Sequence, residues 1–273
     1  MSDNEVNGMH EWLQTPPGRY LLGWESQQFD QAVADIFGYH ALQLGLAPLD
    51  ALAANRMPHR WLATATQGAG QGVVRAPEAP ALALVTDFAA LPFSASSLDL
   101  LAMPHTLELS ADPHATLHEV ERVLVPEGRV VICGFNPASL WGLRQRRARL
   151  CQRLGLGLGL GDLFLPEAGE FIGYWRLRDW LRLLGFEVEV VKFGAYRPAV
   201  VRAQWLKSFE WMDGAGARWW PIFGAVYFVV AVKRVRGMRL MSPAWKTTPA
   251  RGIAPVSVAT RAHGTSADGQ NGL

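Results

Sequence analysis

Cysteine, net charge and long apolar runs are all scarce in this chain of 273 residues. The two cysteines, Cys133 and Cys151, are too few for a disulfide framework or a four-thiolate metal site, which favours a reducing, cytoplasmic setting. The net charge of +2 is too mild to indicate a nucleic-acid binder. The amino terminus lacks a basic segment followed by an apolar one, so no signal peptide is predicted.

The most apolar late stretch, residues 221–232, is well short of the roughly 20 residues that a membrane-spanning helix needs. We therefore predict a buried strand there and no transmembrane segment. The composition, 49% hydrophobic and 18% charged, is typical of a folded globular chain.

The first half of the chain alternates between helical and strand-like patterns. After a turn predicted at Pro16–Gly18, apolar residues recur at helical spacing until Gly38. Two strand-length runs at residues 40–46 and 60–65 flank a Leu/Ala-rich stretch, residues 49–55, which predicts a β-α-β opening. Further strands are predicted at residues 81–86 and 98–103, and such continuous apolar runs are typical of parallel strands buried on both faces.

The second half continues the alternation. Asp112 and Pro113 form an N-cap and N1 pair for a helix that ends before Pro126, and a strand follows at residues 129–135. A helix at residues 175–184 and a strand at 186–193 come next. This order predicts a doubly wound α/β sheet with its ligand site beyond the carboxyl ends of the strands.

Two segments interrupt this alternation and set the predicted boundaries. An insertion at residues 136–173 is predicted to act like a lid, and the Pro/Ser/Gly-rich residues 237–273 are predicted to be disordered. The domain would then occupy residues 40–236, preceded by a helical segment at residues 1–39.

The insertion carries a cluster of arginines that consists of Arg144, Arg146, Arg147, Arg149 and Arg153. The cluster is a solvated helix face, a site for an anionic acceptor, or a peripheral contact with a membrane or nucleic acid. Six tryptophans in or after the insertion, namely Trp141, Trp175, Trp205, Trp211, Trp219 and Trp220, favour a second small core over an apolar acceptor pocket.

Residues 86–137 carry a specific series of motifs. They are Asp87, Leu91-Pro92-Phe93, Leu98-Asp99, His105-Thr106-Leu107-Glu108, the helix at residues 117–124 and the turn Pro126-Glu127-Gly128. In this order they resemble the type-11 group of class I, S-adenosylmethionine-dependent methyltransferases. The resemblance implies a Rossmann-like fold over residues 40–235, with a mostly parallel sheet and an antiparallel carboxy-terminal strand.

The resemblance also implies roles for single residues. Asp87 would accept a hydrogen bond from the adenine amine of S-adenosylmethionine, with Phe88 packed on the ring, although Asp87 alternatively only caps the following turn. His105 would line the pocket, or act as a general base for the acceptor. Nothing in the sequence requires a metal ion.

The first predicted strand departs from the family pattern, which has an acidic residue followed by three alternating glycines. Gln43 stands for the acid, Gly45 for the first glycine, and Ala47 and Leu49 for the other two. The acid that would hold the ribose after the second strand is absent. Gln43 or Asp50 could substitute, or the amino-terminal helix could supply Glu25 or Tyr20.

We therefore expect a methyltransferase that uses S-adenosylmethionine and acts on a small-molecule or lipid-like acceptor, with Gln43, Gly45, Asp87, Phe88 and His105 at the cofactor site. The alternative is a catalytically silent methyltransferase-like domain that serves as a binding module.

Overall fold

A computed structural model describes residues 3–65, 82–153, 163–166 and 171–235 of the chain. The compact unit reaches Val235, and the tail predicted to be disordered lies outside the described residues. The strands are β1 His40–Leu44, β2 His59–Thr64, β3 Leu82–Val85, β4 Leu98–Pro104, β5 Leu124–Phe135, β6 Phe186–Gly194 and β7 Val226–Lys233. The helices are α1 Asp3–Leu13, α2 Pro16–Val33, α3 Thr106–Leu109, α4 Pro113–Val123, α5 Leu140–Arg153, α6 Tyr174–Leu183, α7 Ala203–Ser208 and α8 Trp211–Trp219.

The strands form one sheet in the order β3-β2-β1-β4-β5-β7-β6. Strands β1 to β5 pair in parallel, and β7 lies antiparallel between β5 and β6. All eight residues of β7 are buried, as the apolar run predicted, although the strand begins at Val226 after a 3-10 turn at Pro221–Phe223. The predicted α/β fold with its antiparallel carboxy-terminal strand is thus confirmed.

Helix α2 begins earlier than predicted. The Thr15 hydroxyl caps it, and Pro16 occupies the first helical position, where its missing N–H costs nothing. The predicted turn at Pro16–Gly18 is therefore wrong, because these residues form the first turn of α2. The face of α2 that carries Leu21, Glu25 and Phe29 is buried.

The helix predicted at residues 49–55 is also wrong, because only turns connect β1 to β2. Two buried side chains bond the backbone of this connection. The Gln43 amide donates to the carbonyls of Leu46 and Leu49, at 2.9 and 2.6 Å, and accepts from the N–H of Ala51. The Asn55 amide oxygen accepts from the N–H of Met57. These bonds replace those that a helix would supply.

The central helix follows its sequence signals. The Asp112 carboxylate accepts from the N–H groups of His114 and Ala115, both at 3.0 Å, and begins α4. Strand β5 starts at Leu124 directly after α4 instead of after the Pro-Glu-Gly turn. Within that turn Glu127 adopts a φ of 64°, in the left-handed region that favours glycine.

The tryptophans do not form the predicted second core. Trp141 is buried, whereas Trp175, Trp205, Trp211 and Trp219 are each more than half exposed. Trp141 begins the inward face of α5, and its indole N–H donates to the carbonyl of Arg197 at 2.7 Å. Among the described residues, no helix is long and apolar enough to cross a membrane.

Candidate functional site

His105 lies at the carboxyl end of β4, where parallel strands of this architecture present their ligand sites. Its backbone has a φ of 52°, and its N–H donates to the carbonyl of Cys133 in the neighbouring strand β5 at 2.9 Å. This left-handed conformation turns the chain from β4 into α3. The imidazole therefore sits between the ends of two central strands.

Both ring nitrogens of His105 bond carboxylates. Nδ1 lies 2.6 Å from Oε2 of Glu108, one turn along α3, and Nε2 lies 2.7 Å from Oε1 of Glu25, which α2 brings across the sheet. All three side chains are buried, and Oε1 of Glu108 also accepts from the N–H of Phe135. We refer to these residues as the Glu25–His105–Glu108 cluster.

The cluster holds a proton at neutral pH. Burial by itself would lower the pKa of His105, but Glu25 and Glu108 outweigh it by charge and hydrogen bonding and raise the pKa to about 10. The Cys133 thiol donates to Oε1 of Glu25 at 3.4 Å. Burial is the largest cause that raises the pKa of this thiol, and the charge of Glu25 is the next.

One atom of the cluster is left without a partner. Oε2 of Glu25 is buried and accepts no hydrogen bond from any described residue. Because an unsatisfied buried carboxylate oxygen is costly, such an atom indicates a donor outside the described residues. A cationic donor would form the stronger, charge-assisted hydrogen bond with it.

Glu25, His105 and Cys133 are residue types that bind metal ions, but their spacing does not fit a zinc site. Ligand atoms of Glu25, His105 and Cys133 all lie within 4.8 Å of one another. Two ligands of a tetrahedral zinc ion, each about 2.0–2.1 Å from the metal, would be separated by about 3.3 Å. The separation of 2.7 Å between Glu25 and His105 is that of a hydrogen bond.

Gly45 lies next to Thr106, which follows His105 in the chain, and Gln43 bonds the loop after β1. Gly45 has a φ of 89°, and a Cβ there would lie 3.2 Å from Oγ1 of Thr106, which donates to the carbonyl of Leu44 at 2.6 Å. The donor and acceptor groups of the Gln43 amide are engaged inside the loop. Gln43 therefore shapes the loop, and Gly45 allows the close approach of β1 to α3.

Asp87 and Phe88 lie apart, beyond β3 and two strands away from β1. Asp87 is exposed, and its Oδ1 accepts from the N–H of Ala89 at 3.0 Å, which is the turn-capping bond of the alternative interpretation. Its Oδ2 has no partner among the residues that the structure describes. Phe88 is only 2% exposed and packs in the core with Leu91 and Leu117, below the surface of the sheet edge.

The described residues fit S-adenosylmethionine at two places. The two places lie beyond the ends of β3 and β4, which three strand spacings separate, about 14 Å in total. The free oxygen of Asp87 suits the adenine amine, and the unpartnered oxygen of Glu25 suits the cationic methionine end. Residues 66–81, where the family pattern has its ribose acid, lie outside the described residues.

From the sequence, Glu25 was predicted only as a substitute, Glu108 was named only within the motif of residues 105–108, and Cys133 was given no role at the site. A signal for Glu25 was present, because it occupies the apolar stripe of α2, four residues from both Leu21 and Phe29. The spacing of three between His105 and Glu108 was a weaker signal. Tyr20, the other substitute, donates instead to Asp213.

Aromatic rings cover the cluster on the side of the insertion. The Phe135 ring lies 4.4 Å from the His105 ring and packs edge-on against Trp12 and Phe171. The Gln145 amide of α5 fixes residues 163–166 by bonding the backbone of Phe164 and Leu165. The insertion therefore contributes a wall to the site.

The arginine cluster is divided between packing and solvent. Arg144 donates to the carbonyl of Ala199 and lies over the Phe164 ring, and Arg149 lies over the Phe171 ring. Arg146 and Arg147 are exposed, and the side chain of Arg153 lies outside the described residues.

Comparison with known proteins agrees with this architecture. Residues 59–132 match the family model described as a methyltransferase domain. The chain is 39% identical over 98 residues to the protein YafS of Escherichia coli strain K12, and this alignment spans 36% of each chain. The chain thus covers about a third of the length of that relative.

Solved structures share the fold at low identity. A chain of the complex between the Haloferax volcanii Trm112 methyltransferase activator and a methyltransferase has a TM-score of 0.53 and 17% identity, over 85% of this chain and 98% of that one. An S-adenosylmethionine-dependent methyltransferase from Thermotoga maritima has a TM-score of 0.51 and 16% identity, over 79% and 93%. The [4+2]-cyclase SpnF has a TM-score of 0.50 and 15% identity, over 77% and 80%.

The resemblance to the type-11 methyltransferases is thus confirmed, and S-adenosylmethionine is the cofactor that a domain of this kind implies. The chain has the class I methyltransferase fold, and its residues 59–132 match the model of a methyltransferase domain.

Proposed function

We propose that the protein transfers a methyl group from S-adenosylmethionine to a small-molecule or lipid-like acceptor. The observation that carries this proposal is the unpartnered oxygen of Glu25, a buried anionic acceptor at the carboxyl end of β4. The family pattern has its acid on the first strand, where this chain has Gln43, and in this proposal Glu25 of α2 supplies the carboxylate instead.

In this proposal, different residues contact different parts of the cofactor. Asp87 accepts from the adenine amine, Gly45 lets the backbone approach, and Gln43 holds the loop in shape. Phe88 supports the adenine end from the core. Glu25 faces the cationic methionine end, where a charge-assisted hydrogen bond is about twice as strong as a neutral one.

We assign His105 a positioning role. Both of its nitrogens are engaged by carboxylates, and its raised pKa keeps the ring charged at neutral pH, so the ring has no lone pair with which to accept a proton. The charged ring instead orients Glu25. The general-base role predicted as an alternative is not part of this proposal.

Bound S-adenosylmethionine supplies an activated methyl group for direct displacement. The chain's own part is to align the acceptor and to exclude water, and the rings of Phe135, Trp12 and Phe171 suit an apolar acceptor body. The exposed guanidinium groups of Arg146 and Arg147 suit an anionic group on that acceptor.

Calorimetric titration of the full chain with S-adenosylmethionine and S-adenosylhomocysteine tests the proposal. We expect micromolar binding that Asp87→Ala and Glu25→Gln each weaken by about tenfold or more, since a hydrogen bond to a charged group contributes about 1.5–3 kcal/mol. Glu119→Gln makes the same chemical change away from the site, in the surface pair with Arg122, and should bind as wild type does.

No binding up to millimolar cofactor would overturn the proposal in favour of the silent-domain alternative. Binding that neither Asp87→Ala nor Glu25→Gln weakens would overturn the residue assignments. If the cofactor binds, transfer of a labelled methyl group to lipid extracts or to polar extracts would distinguish a lipid-like acceptor from a small-molecule acceptor.

A further inference from the structure

We propose that residues 201–223, which we call the tryptophan segment, form a docking surface for the interface of an anionic lipid bilayer. The segment connects β6 to β7 and contains α7, α8 and the 3-10 turn. This inference does not depend on methyl transfer. It goes beyond the arginine contact predicted from the sequence and places membrane contact on different residues.

The apolar side chains of the tryptophan segment face outward. Trp205, Trp211 and Trp219 are 53%, 63% and 74% exposed, and Val201, Ile222 and Phe223 are also about half exposed. Leu206 and Gly216 are the residues of α7 and α8 that are buried. Large exposed apolar patches indicate an interaction site, and tryptophan is the side chain most typical of the boundary between lipid headgroups and acyl chains.

The segment is fixed to the body of the domain, so these rings are presented rigidly. A Cβ on Gly216 would clash with the ring of Tyr196, and one on Gly224 would clash with the backbone of Gly194, so both contacts are close. Asp213 of α8 also accepts from Nε of Arg197 at 2.8 Å and from the hydroxyl of Tyr20.

The charged residues of the segment differ in their pairing. Asp213 lies 2.8 Å from the guanidinium of Arg197, and Glu210, whose side chain is 69% exposed, lies 3.8 Å from it. Arg202, Lys207 and Arg218 are exposed and form no ion pair within the part of the chain that the structure describes. Free cations among exposed tryptophans complement anionic headgroups, and this complementarity favours a lipid surface over an uncharged protein partner.

Flotation of the full-length protein with vesicles tests this proposal. We expect the protein to float with vesicles of phosphatidylcholine and phosphatidylglycerol, to float less with phosphatidylcholine alone, and to dissociate as salt is raised. The double variant Trp211→Ser/Trp219→Ser should lower the partition coefficient by about tenfold or more. Each of Arg202→Ser, Lys207→Ser and Arg218→Ser should lower it by about fivefold on anionic vesicles.

Two controls distinguish this surface from others. Trp175→Ser removes an equally exposed tryptophan from α6 and should leave flotation unchanged. Arg146→Ser/Arg147→Ser removes exposed cations from α5 and should have at most a small effect. Circular dichroism and thermal melting verify that every variant is folded.

Absence of flotation with any vesicle, or flotation that the tryptophan variants do not reduce, would overturn the proposal. A concentration-dependent dimer that Trp211→Ser/Trp219→Ser abolishes, with no vesicle binding, would overturn it in favour of a second copy of the chain. Cofactor titration of the same variants should match wild type, so failure here is distinguishable from failure of the proposed methyl transfer.

Discussion

Replacing Glu25 by glutamine tests the charge state of the buried cluster. The substitution keeps the size of the side chain and removes one of the two carboxylates on the His105 ring. The rise of the His105 pKa from 6.5 to about 10 corresponds to about 5 kcal/mol of preferential stabilisation of the charged ring in the folded protein. Burial opposes this rise, so the carboxylates produce all of it.

The sign of the pH dependence follows from this shift. The folded protein holds the His105 proton more tightly than the unfolded chain, so its stabilising effect is complete below pH 6.5 and is lost as the pH rises towards about 10. In Glu25→Gln the pKa of His105 falls towards its ordinary value, because Glu108 alone remains to offset burial. The variant therefore loses this proton at lower pH than wild type.

Urea unfolding between pH 6 and 9.5 measures the effect. At pH 6 we expect Glu25→Gln to be less stable by about 2–3 kcal/mol, because a buried charge-assisted hydrogen bond is lost. Above the variant's own pKa the difference should narrow by about 1.4 kcal/mol for each pH unit, since wild type alone still holds the proton. Glu119→Gln, in the partly exposed pair with Arg122, should cost about 1 kcal/mol or less at every pH in this range.

A difference between wild type and Glu25→Gln that stays constant from pH 6 to 9.5 would refute the argument. It would mean that His105 is not protonated between the two carboxylates. The imidazole signals of His105 in nuclear magnetic resonance spectra give an independent check, because they should not titrate below pH 9 in wild type.

Three further substitutions test the backbone and the loop through urea unfolding. Gly45→Ala should lower the free energy of unfolding by about 1–3 kcal/mol, because φ at Gly45 is 89° and Thr106 is close. The control Gly23→Ala, in open space on α2, should raise it by about 0.5–1 kcal/mol. Equal effects of the two substitutions would contradict the loop geometry. Gln43→Glu should cost about 3 kcal/mol or more, because a carboxylate cannot donate to the carbonyls of Leu46 and Leu49, and a neutral result would exclude those bonds. Glu127→Gly should raise the free energy of unfolding by about 0.5–1 kcal/mol, because the left-handed strain of about 1–2 kcal/mol exceeds the contribution of the exposed ion pair with Arg234. A decrease in stability would show that the ion pair contributes more than the strain.

Strand positions were predictable because the apolar runs leave few alternatives. Residues 98–103 and 186–193 were each predicted within one residue of β4 and β6, and Asp112 predicted the start of α4. Helix α1 lies inside the helical segment predicted at residues 1–39 but was not predicted as a separate helix, although Met9 and Leu13 mark its buried face at a spacing of four. Two apolar residues are too few to separate such a helix from a coil.

The site was less predictable because it depends on contacts between distant parts of the chain. Glu25 and His105 are 80 residues apart, and their contact depends on how α2 docks on the sheet. The prediction that the tryptophans form a second core was wrong for a related reason. Their number favoured a core, but burial depends on what the rest of the fold covers, and Leu206 and Gly216 are the only buried residues of α7 and α8.

The altered first strand and the carboxylate from α2 are parts of one rearrangement. A carboxylate after β1 can only accept hydrogen bonds, whereas the Gln43 amide both donates and accepts, and so it bonds two carbonyls and one N–H of the same loop. A loop bonded in this way buries Leu46 and Leu49 and has no need of further glycines. Gln43 leaves no anion at this position, whereas Oε2 of Glu25 is a buried acceptor without a partner among the described residues. In the function proposed above, the loss of the family's glycine motif is not by itself a loss of the site, because Glu25 of the amino-terminal helix supplies the carboxylate that the first strand lacks.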